Sequence, residues 1–190
     1  MEAAPDSKQM GTSTSAVVAE KDASGSSQCL VRQATPRDIP DITSIYSRFV
    51  ITSTATSEIA VPEESEMLRR WRAARDHDLP YLVAELEGYI VGYCYAAPFR
   101  PREAYQYTVE DSIYVRPDCI GHGVGKLLLA QLIAQCRERA CHSMVACILG
   151  VNPVSVALHA ALGFQRAGLL PDATYKFGEW HDLLLMQRKL

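Results

Sequence analysis

The chain has 190 residues, 48% of them apolar and 22% charged, and carries a net charge of −3. That length supports one domain with a substantial core. The mildly acidic balance gives no electrostatic case for nucleic acid or an anionic membrane surface, and no apolar run reaches the roughly 20 residues a helical membrane span needs.

Residues 1–28 are rich in Ser, Ala, Thr and Gly, lack aromatic residues and any period, and read as a disordered tail. The tail is acidic and free of arginine, unlike a mitochondrial presequence, and lacks the apolar core of a secretory signal, so a cytoplasmic protein is expected. The folded domain spans 29–190 and begins with a short strand over 29–33. Thr35 as N-cap and Pro36 at the first helical position open a helix to about residue 50, with Ile39, Ile42, Ile45, Tyr46 and Phe49 at helical spacing. A Thr/Ser-rich loop over 51–61 leads to a charged helix over 62–77, with Met67, Leu68 and Trp71 on its apolar side. From Tyr81 the period changes. Strands over 81–86 and 89–97 are joined by Glu87-Gly88, a two-residue hairpin signal. Pro98 and Pro101 break the second strand in a loop that carries Arg100 and Arg102. A strand over 107–115 enters a glycine-spaced turn, and a leucine-rich helix follows to about residue 140. A buried strand over 144–149, a short helix over 154–162 closed by Gly163, a strand over 164–169 and a last apolar strand over 175–188 with a turn at Gly178 complete the chain. The order β-α-α-β-β-β-α-β-α-β-β defines a mixed α/β sheet with helices on its faces.

The six cysteines form no C-x-x-C pair and several sit within apolar segments, which reads as reduced, buried thiols. Their spacing with the five histidines suits no zinc site, so no metal is expected. The glycine turn is the chemically informative stretch. Gly121, Gly123 and Gly125 remove side chains where backbone N–H groups converge, and the helix from Val124 aims its positive end at the same place. That builds a pyrophosphate cradle. It is not a P-loop, because Leu127 stands where that motif needs a hydroxyl, and it lacks the spacing and ribose-binding acid of a dinucleotide fold.

Two motifs extend this reading. Val115-x-Pro117-x-x-x-Gly121-x-Gly123-x-Gly125-x-x-Leu128 is followed by Asn152-x-x-Ser155-x-x-Leu158-x-x-x-Leu162-Gly163-Phe164. Together they resemble the paired motifs of the GNAT superfamily of N-acetyltransferases. The resemblance implies acetyl-CoA as co-substrate and a mostly antiparallel twisted sheet of about seven strands with a bulged, splayed central strand. Backbone groups around Ile113, Tyr114 and Val115 would bind the pantetheine arm as an added strand. The loop of Gly121, His122, Gly123, Val124, Gly125 and Lys126 would hold the pyrophosphate, and Asn152 and Ser155 would contact the cofactor. Ile120 departs from the family's usual Arg or Gln at the first loop position, which implies weaker anchoring rather than loss. Within the superfamily, Phe99-Arg100-Pro101-Arg102, the stretch 107–115, Leu158-His159 and Tyr175-Lys176-x-Gly178-x-Trp180-His181-Asp182 are similar to the phosphinothricin and methionine sulfone/sulfoximine N-acetyltransferases.

The resemblance implies roles for single residues. A substrate amine arrives as an ammonium and must lose a proton, and Glu110 is the expected general base; its bland alternative is a solvated strand glutamate. His159 would protonate the departing thiolate, a role its ordinary pKa near 6.5 suits, or else is packed between Leu158 and Leu162. Arg100 and Arg102 would grip a carboxylate or phosphinate bidentately, or are simply solvated. Ser112, Glu110 and Lys176 are further acceptor contacts, Lys176 across the interface of an expected homodimer. The expected reaction is direct acetyl transfer to the amino group of a small amino-acid-like substrate. Two rivals stand beside it: another amine acceptor such as a polyamine, aminoglycoside or protein N-terminus, and a non-catalytic acyl-CoA sensor.

Overall fold

The strand and helix order expected from the periodicities is the order found in the computed structural model, which describes residues 28–190. The tail assigned to 1–28 lies, apart from Gln28, outside the described residues. The elements are β1 (Leu30–Gln33), α1 (Ile39–Thr52), α2 (Glu64–Asp76), β2 (Tyr81–Leu86), β3 (Tyr89–Pro98), β4 (Thr108–Val115), α3 (Val124–Glu138), β5 (Ser143–Leu149), α4 (Pro153–Ala161), β6 (Gln165–Lys176) and β7 (Glu179–Lys189). Before α1 the Thr35-Pro36 signal makes a short 3-10 turn over Pro36–Asp38. There the Asp38 carboxylate accepts from the Thr35 N–H at 2.7 Å and from both terminal nitrogens of Arg32 at 2.8 Å.

The strands form one seven-stranded sheet in the order β1-β2-β3-β4-β5-β7-β6. Every neighbouring pair is antiparallel except β4 with β5, which α3 connects as a crossover. Hairpin turns behave as their residues demand. Glu87 and Gly88 have φ of 53° and 83°, and Phe177 and Gly178 have 55° and 84°, the doubly left-handed turn that matches strand twist. Tyr175 and Lys176 therefore end β6 and precede that turn, rather than opening the last strand. β6 is also longer than its sequence period, because it continues through Pro171 and Asp172. It can do so because it lies at the sheet edge, where a missing donor costs no ladder bond and the register shifts between Leu170 and Thr174.

Two apolar cores flank the sheet. On one side α1 and α2 pack Ile42, Val50, Met67 and Trp71 against Tyr81, Tyr93 and Tyr114. On the other, α3 buries Leu128, Leu129, Leu132 and Cys136 with Leu82, Met144 and Met186, and Leu158 of α4 joins them. Each fully buried leucine contributes about 1.5–3 kcal/mol. β4 belongs to both cores, and this places the site.

Candidate active site

The β4/β5 pairing covers four residue pairs, from Thr108↔Ser143 to Asp111↔Ala146, and then stops. Beyond it β4 continues along β3 to Val115, while β5 continues along β7 to Leu149. The sheet opens as a wedge between Ser112–Val115 and 147–149. The expected bulge in β4 is not present: its register with β3 runs unshifted from Pro98↔Val109 to Gly92↔Val115. Divergence of the two strands, not an extra residue, makes the splay.

Hydrogen-bond parity fixes which groups face this gap. Phe99 N–H donates to Thr108 C=O and Arg116 N–H to Val91 C=O, so even-numbered residues of β4 bond to β3. The odd-numbered Ile113 and Val115 turn their N–H and C=O groups toward the gap, where β5 has already departed. An extended ligand with amide groups can pair there as a strand would. Tyr114, also expected among the cofactor contacts, is an even residue whose backbone faces β3 and whose ring packs with Tyr46 and Phe49 at 5.0 and 5.2 Å.

At the wide end of the wedge lies the glycine loop. Gly121 and Gly123 have φ of 87° and 82°, a conformation that side chains resist, and nothing stands within 4 Å of where a Cβ would be. The first helical bond of α3 runs from Leu127 N–H to Gly123 C=O, which leaves the N–H groups of Val124, Gly125 and Lys126 directed outward at the helix's positive end. Gly125 serves packing instead: a Cβ there would lie 3.4 Å from Leu158 and 3.8 Å from Val115. These donors and the open backbone suit a phosphorylated, amide-containing coenzyme. Asn152 caps α4, its Oδ1 accepting from the N–H groups of Val154 at 3.0 Å and Ser155 at 3.3 Å.

A cavity of about 770 Å³ runs through the wedge from one face of the sheet to the other. It is lined by Ile113, Val115, Ile120, Gly121, Gly123, Gly125, Lys126, Asn152, Ser155 and His159 toward α3 and α4, and by Tyr46, Phe49, Glu58, Tyr95, Arg100, Glu110 and Ser112 toward α1 and α2. Arg102, His122 and Lys176 do not line it, and Val124 is packed into the core. Lys176 is buried and donates to the Ser53 and Thr56 carbonyls of its own chain at 2.7 and 2.8 Å.

Glu110 stands where the two halves of the cavity meet. Burial pushes its carboxyl above the ordinary 4.5; the Cys147 thiol of β5 and the Arg100 guanidinium pull it down, and Asp111 pushes it up, with a net upward result. Arg100 lies 4.3 Å over the Phe99 ring and has no ion-pair partner among the described residues. Cys147 is pushed up to about 12 by burial and by Glu110, so it stays a thiol at neutral pH. A cysteine therefore does have an acidic neighbour, which linear order had concealed.

The residue that sequence reasoning passed over is Asp111. It is 6% exposed and its Oδ2 lies 3.0 Å from Nε2 of His159, itself 2% exposed. Nδ1 of His159 lies 2.7 Å from the Ser155 carbonyl and 3.3 Å from the Ser155 hydroxyl. Burial alone would lower the imidazole's pKa, but the Asp111 carboxylate and the Ser155 carbonyl outweigh it and raise the pKa above 6.5. An acceptor lies beside each ring nitrogen, so both contacts favour the protonated form of the ring. A signal existed in the sequence: β4 alternates, and Asp111 is the one acid among Val109, Ile113 and Val115 on the apolar face, so it needed a buried partner.

The comparisons with known proteins agree with this geometry. Residues 42–164 match the acetyltransferase (GNAT) family. The chain is 47% identical over 163 residues to phosphinothricin N-acetyltransferase of Alcaligenes faecalis, covering 85% of this chain and 83% of that protein. It is 39% identical over 162 residues to an L-methionine sulfoximine/L-methionine sulfone acetyltransferase of Pseudomonas paraeruginosa, covering 84% and 94%. Among solved structures, a GNAT superfamily phosphinothricin acetyltransferase of Sinorhizobium meliloti in complex with AcCoA superposes with a TM-score of 0.84 at 42% identity, over 85% of this chain and 88% of that one. The chain belongs to the acetyltransferase (GNAT) family. It is an N-acetyltransferase that takes acetyl-CoA as its acetyl donor.

Proposed function

We propose that the acceptor is a small amino acid whose side chain carries an oxidised sulfur or phosphorus group, of the methionine sulfone, methionine sulfoximine or phosphinothricin type, and that its α-amino group is acetylated directly. The observation that carries this is the pairing of Glu110, a carboxylate lifted by burial, with Arg100, a cation without an ion-pair partner among the described residues, on the acceptor half of one cavity. A polycationic acceptor would call for the reverse balance at this lip. The names of the relatives point the same way.

Acetyl-CoA supplies the acetyl thioester. Ile113 and Val115 would orient its amide-bearing arm through backbone hydrogen bonds, and the N–H groups of 123–126 would bind its phosphates. Glu110 takes the ammonium proton, directly or through a water, so that nitrogen is a nucleophile only while held beside the thioester. On the opposite face His159 is the proton reservoir for the leaving sulfur, with the Ser155 hydroxyl 3.3 Å from its Nδ1 and both residues lining the cavity. A covalent acetyl-cysteine route is disfavoured by the raised Cys147 thiol.

The same reading includes a homodimer. β6 is an edge strand exposed from Gln165 to Ala173, and Leu169, Leu170, Tyr175, Phe177 and Trp180 of its hairpin are large exposed apolar residues. Six free thiols suit a reducing cytoplasm. Light scattering after gel filtration tests the dimer. Free-CoA release with methionine sulfone, phosphinothricin, spermidine and an aminoglycoside tests the acceptor. Release with the first two alone is expected, and preferential release with spermidine would overturn the acceptor class. Cys147→Ala is expected to keep its turnover; its loss would restore the covalent route.

A further inference from the structure

Lys176 has no part in the chemistry above, yet it is 3% exposed and pairs with no carboxylate among the described residues. Glu58 acts on it only from beyond contact distance, and an ammonium withdrawn from water without a contacting carboxylate is costly unless its three donors are used. Here two of them reach the carbonyls of Ser53 and Thr56, at 2.7 and 2.8 Å, and the Phe177 ring centre lies 4.9 Å from the nitrogen. These carbonyls belong to the irregular segment between α1 and α2, more than a hundred residues away in sequence. The segment that follows at once supplies Thr56, Ser57 and Glu58 to the acceptor wall of the cavity.

Few other ties hold that segment. The Tyr46 hydroxyl meets Thr56 Oγ1 at 2.7 Å, and Arg70 of α2 binds Glu58 at 2.6 Å. Inside it, the amides of Ala55 and Glu58 bond only to nearby side chains, Ser53 Oγ and Thr56 Oγ1. Such local bonds depend on the backbone conformation they span, and the lysine clamps that conformation from both sides. We propose that Lys176 is a positioning residue for the acceptor wall: its ammonium, brought in by the β6–β7 hairpin, pins the carbonyls of Ser53 and Thr56 and so sets where Thr56–Glu58 face the bound amine. This rests on the acceptor-side reading of the cavity for its kinetic consequence, but not for its structural one.

The test therefore has two arms in the full-length protein. In Lys176→Met, hydrogen exchange at the Ala55 and Glu58 amides is expected to accelerate by about tenfold or more, the loss of two bonds from a charged donor, with exchange in β2 and β3 unchanged. With methionine sulfone, KM is expected to rise about tenfold while acetyl-CoA affinity by calorimetry stays within about twofold, and Lys176→Arg is expected to recover most of the loss. Unchanged exchange at 55 and 58 would overturn the proposal, as would faster exchange with an unaltered acceptor KM. If the wild type does not turn over methionine sulfone, the acceptor assignment fails and the exchange arm still decides the lysine's role. Should Lys176→Met not fold, Lys176→Gln, which removes the ammonium but keeps a polar group at the site, carries the same expectation at smaller amplitude, with unchanged exchange at 55 and 58 again overturning the proposal.

Discussion

Glu110 and Asp111 are consecutive carboxylates on one strand, and their surroundings are opposite. The pleat sends Glu110 to the α1/α2 side, half-buried, with Arg100 near but not in contact and its pKa lifted by desolvation. It sends Asp111 to the α3/α4 side, buried and bonded to the His159 ring. The difference teaches that a place on the pleat, rather than residue type, separates a base from an anchor. A carboxylate with no contacting cation is available for a substrate's proton, whereas one bonded to a buried imidazole ring is occupied in holding that ring.

The comparison breaks most visibly at Glu110. Glu110→Gln is expected to lower kcat by about a hundredfold to ten-thousandfold while calorimetry finds acetyl-CoA bound as before. Turnover close to wild type would remove Glu110 as the base. Next in size is Asp111→Ala, which takes away the partner of the buried His159 Nε2 and should cost about 1–3 kcal/mol of stability by urea titration. Glu110→Gln in the same titration should cost little, and equal losses would erase the distinction between the two acids.

The pH dependence sharpens the contrast. kcat/KM should rise with pH through a Glu110 value above 4.5, and this acid limb should vanish in Glu110→Gln. Stability should move the other way. Both Glu110 and His159 hold their protons more tightly in the fold than in the unfolded chain. Their contributions are therefore complete below the unfolded values of 4.5 and 6.5 and are lost as pH rises through the higher folded values. Urea midpoints that fail to fall above pH 6.5, or a His159→Asn variant that keeps the same slope, would contradict the raised imidazole. The smallest effect lies outside the pair. Ile120→Arg, at the exposed rim of the glycine loop, should tighten acetyl-CoA by about 0.2–1 kcal/mol, a severalfold change at most, and leave the pH profile unmoved.

Local rules explain what was legible in the chain. The Glu87-Gly88 hairpin, the glycine turn and the helical stripes of α1 and α3 are dictated by neighbours a few residues apart, and each appears where the sequence puts it. The opening beside Ser112–Val115 could be anticipated only through the family resemblance, since nothing in β4 itself announces that β5 will leave at Ala146. The Asp111–His159 bond spans 48 residues and the Lys176–Thr56 bond 120, distances over which periodicity says nothing. β6 misled for a different reason. Pro171-Asp172 reads as a break, and only an edge position makes such a pair tolerable within a strand.

The inner edge of β4 differs in kind from the outer edge of β6. An unpaired strand edge invites other chains to dock and, in excess, to aggregate. At Ile113 and Val115 the inviting groups sit at the bottom of a slot walled by β5, so a second protein's backbone with its own flanking strands cannot enter. Only something slender, one strand wide and tapering to a thioester, can satisfy them. The fold thus hides its stickiest surface from macromolecules and leaves it open to a coenzyme tail.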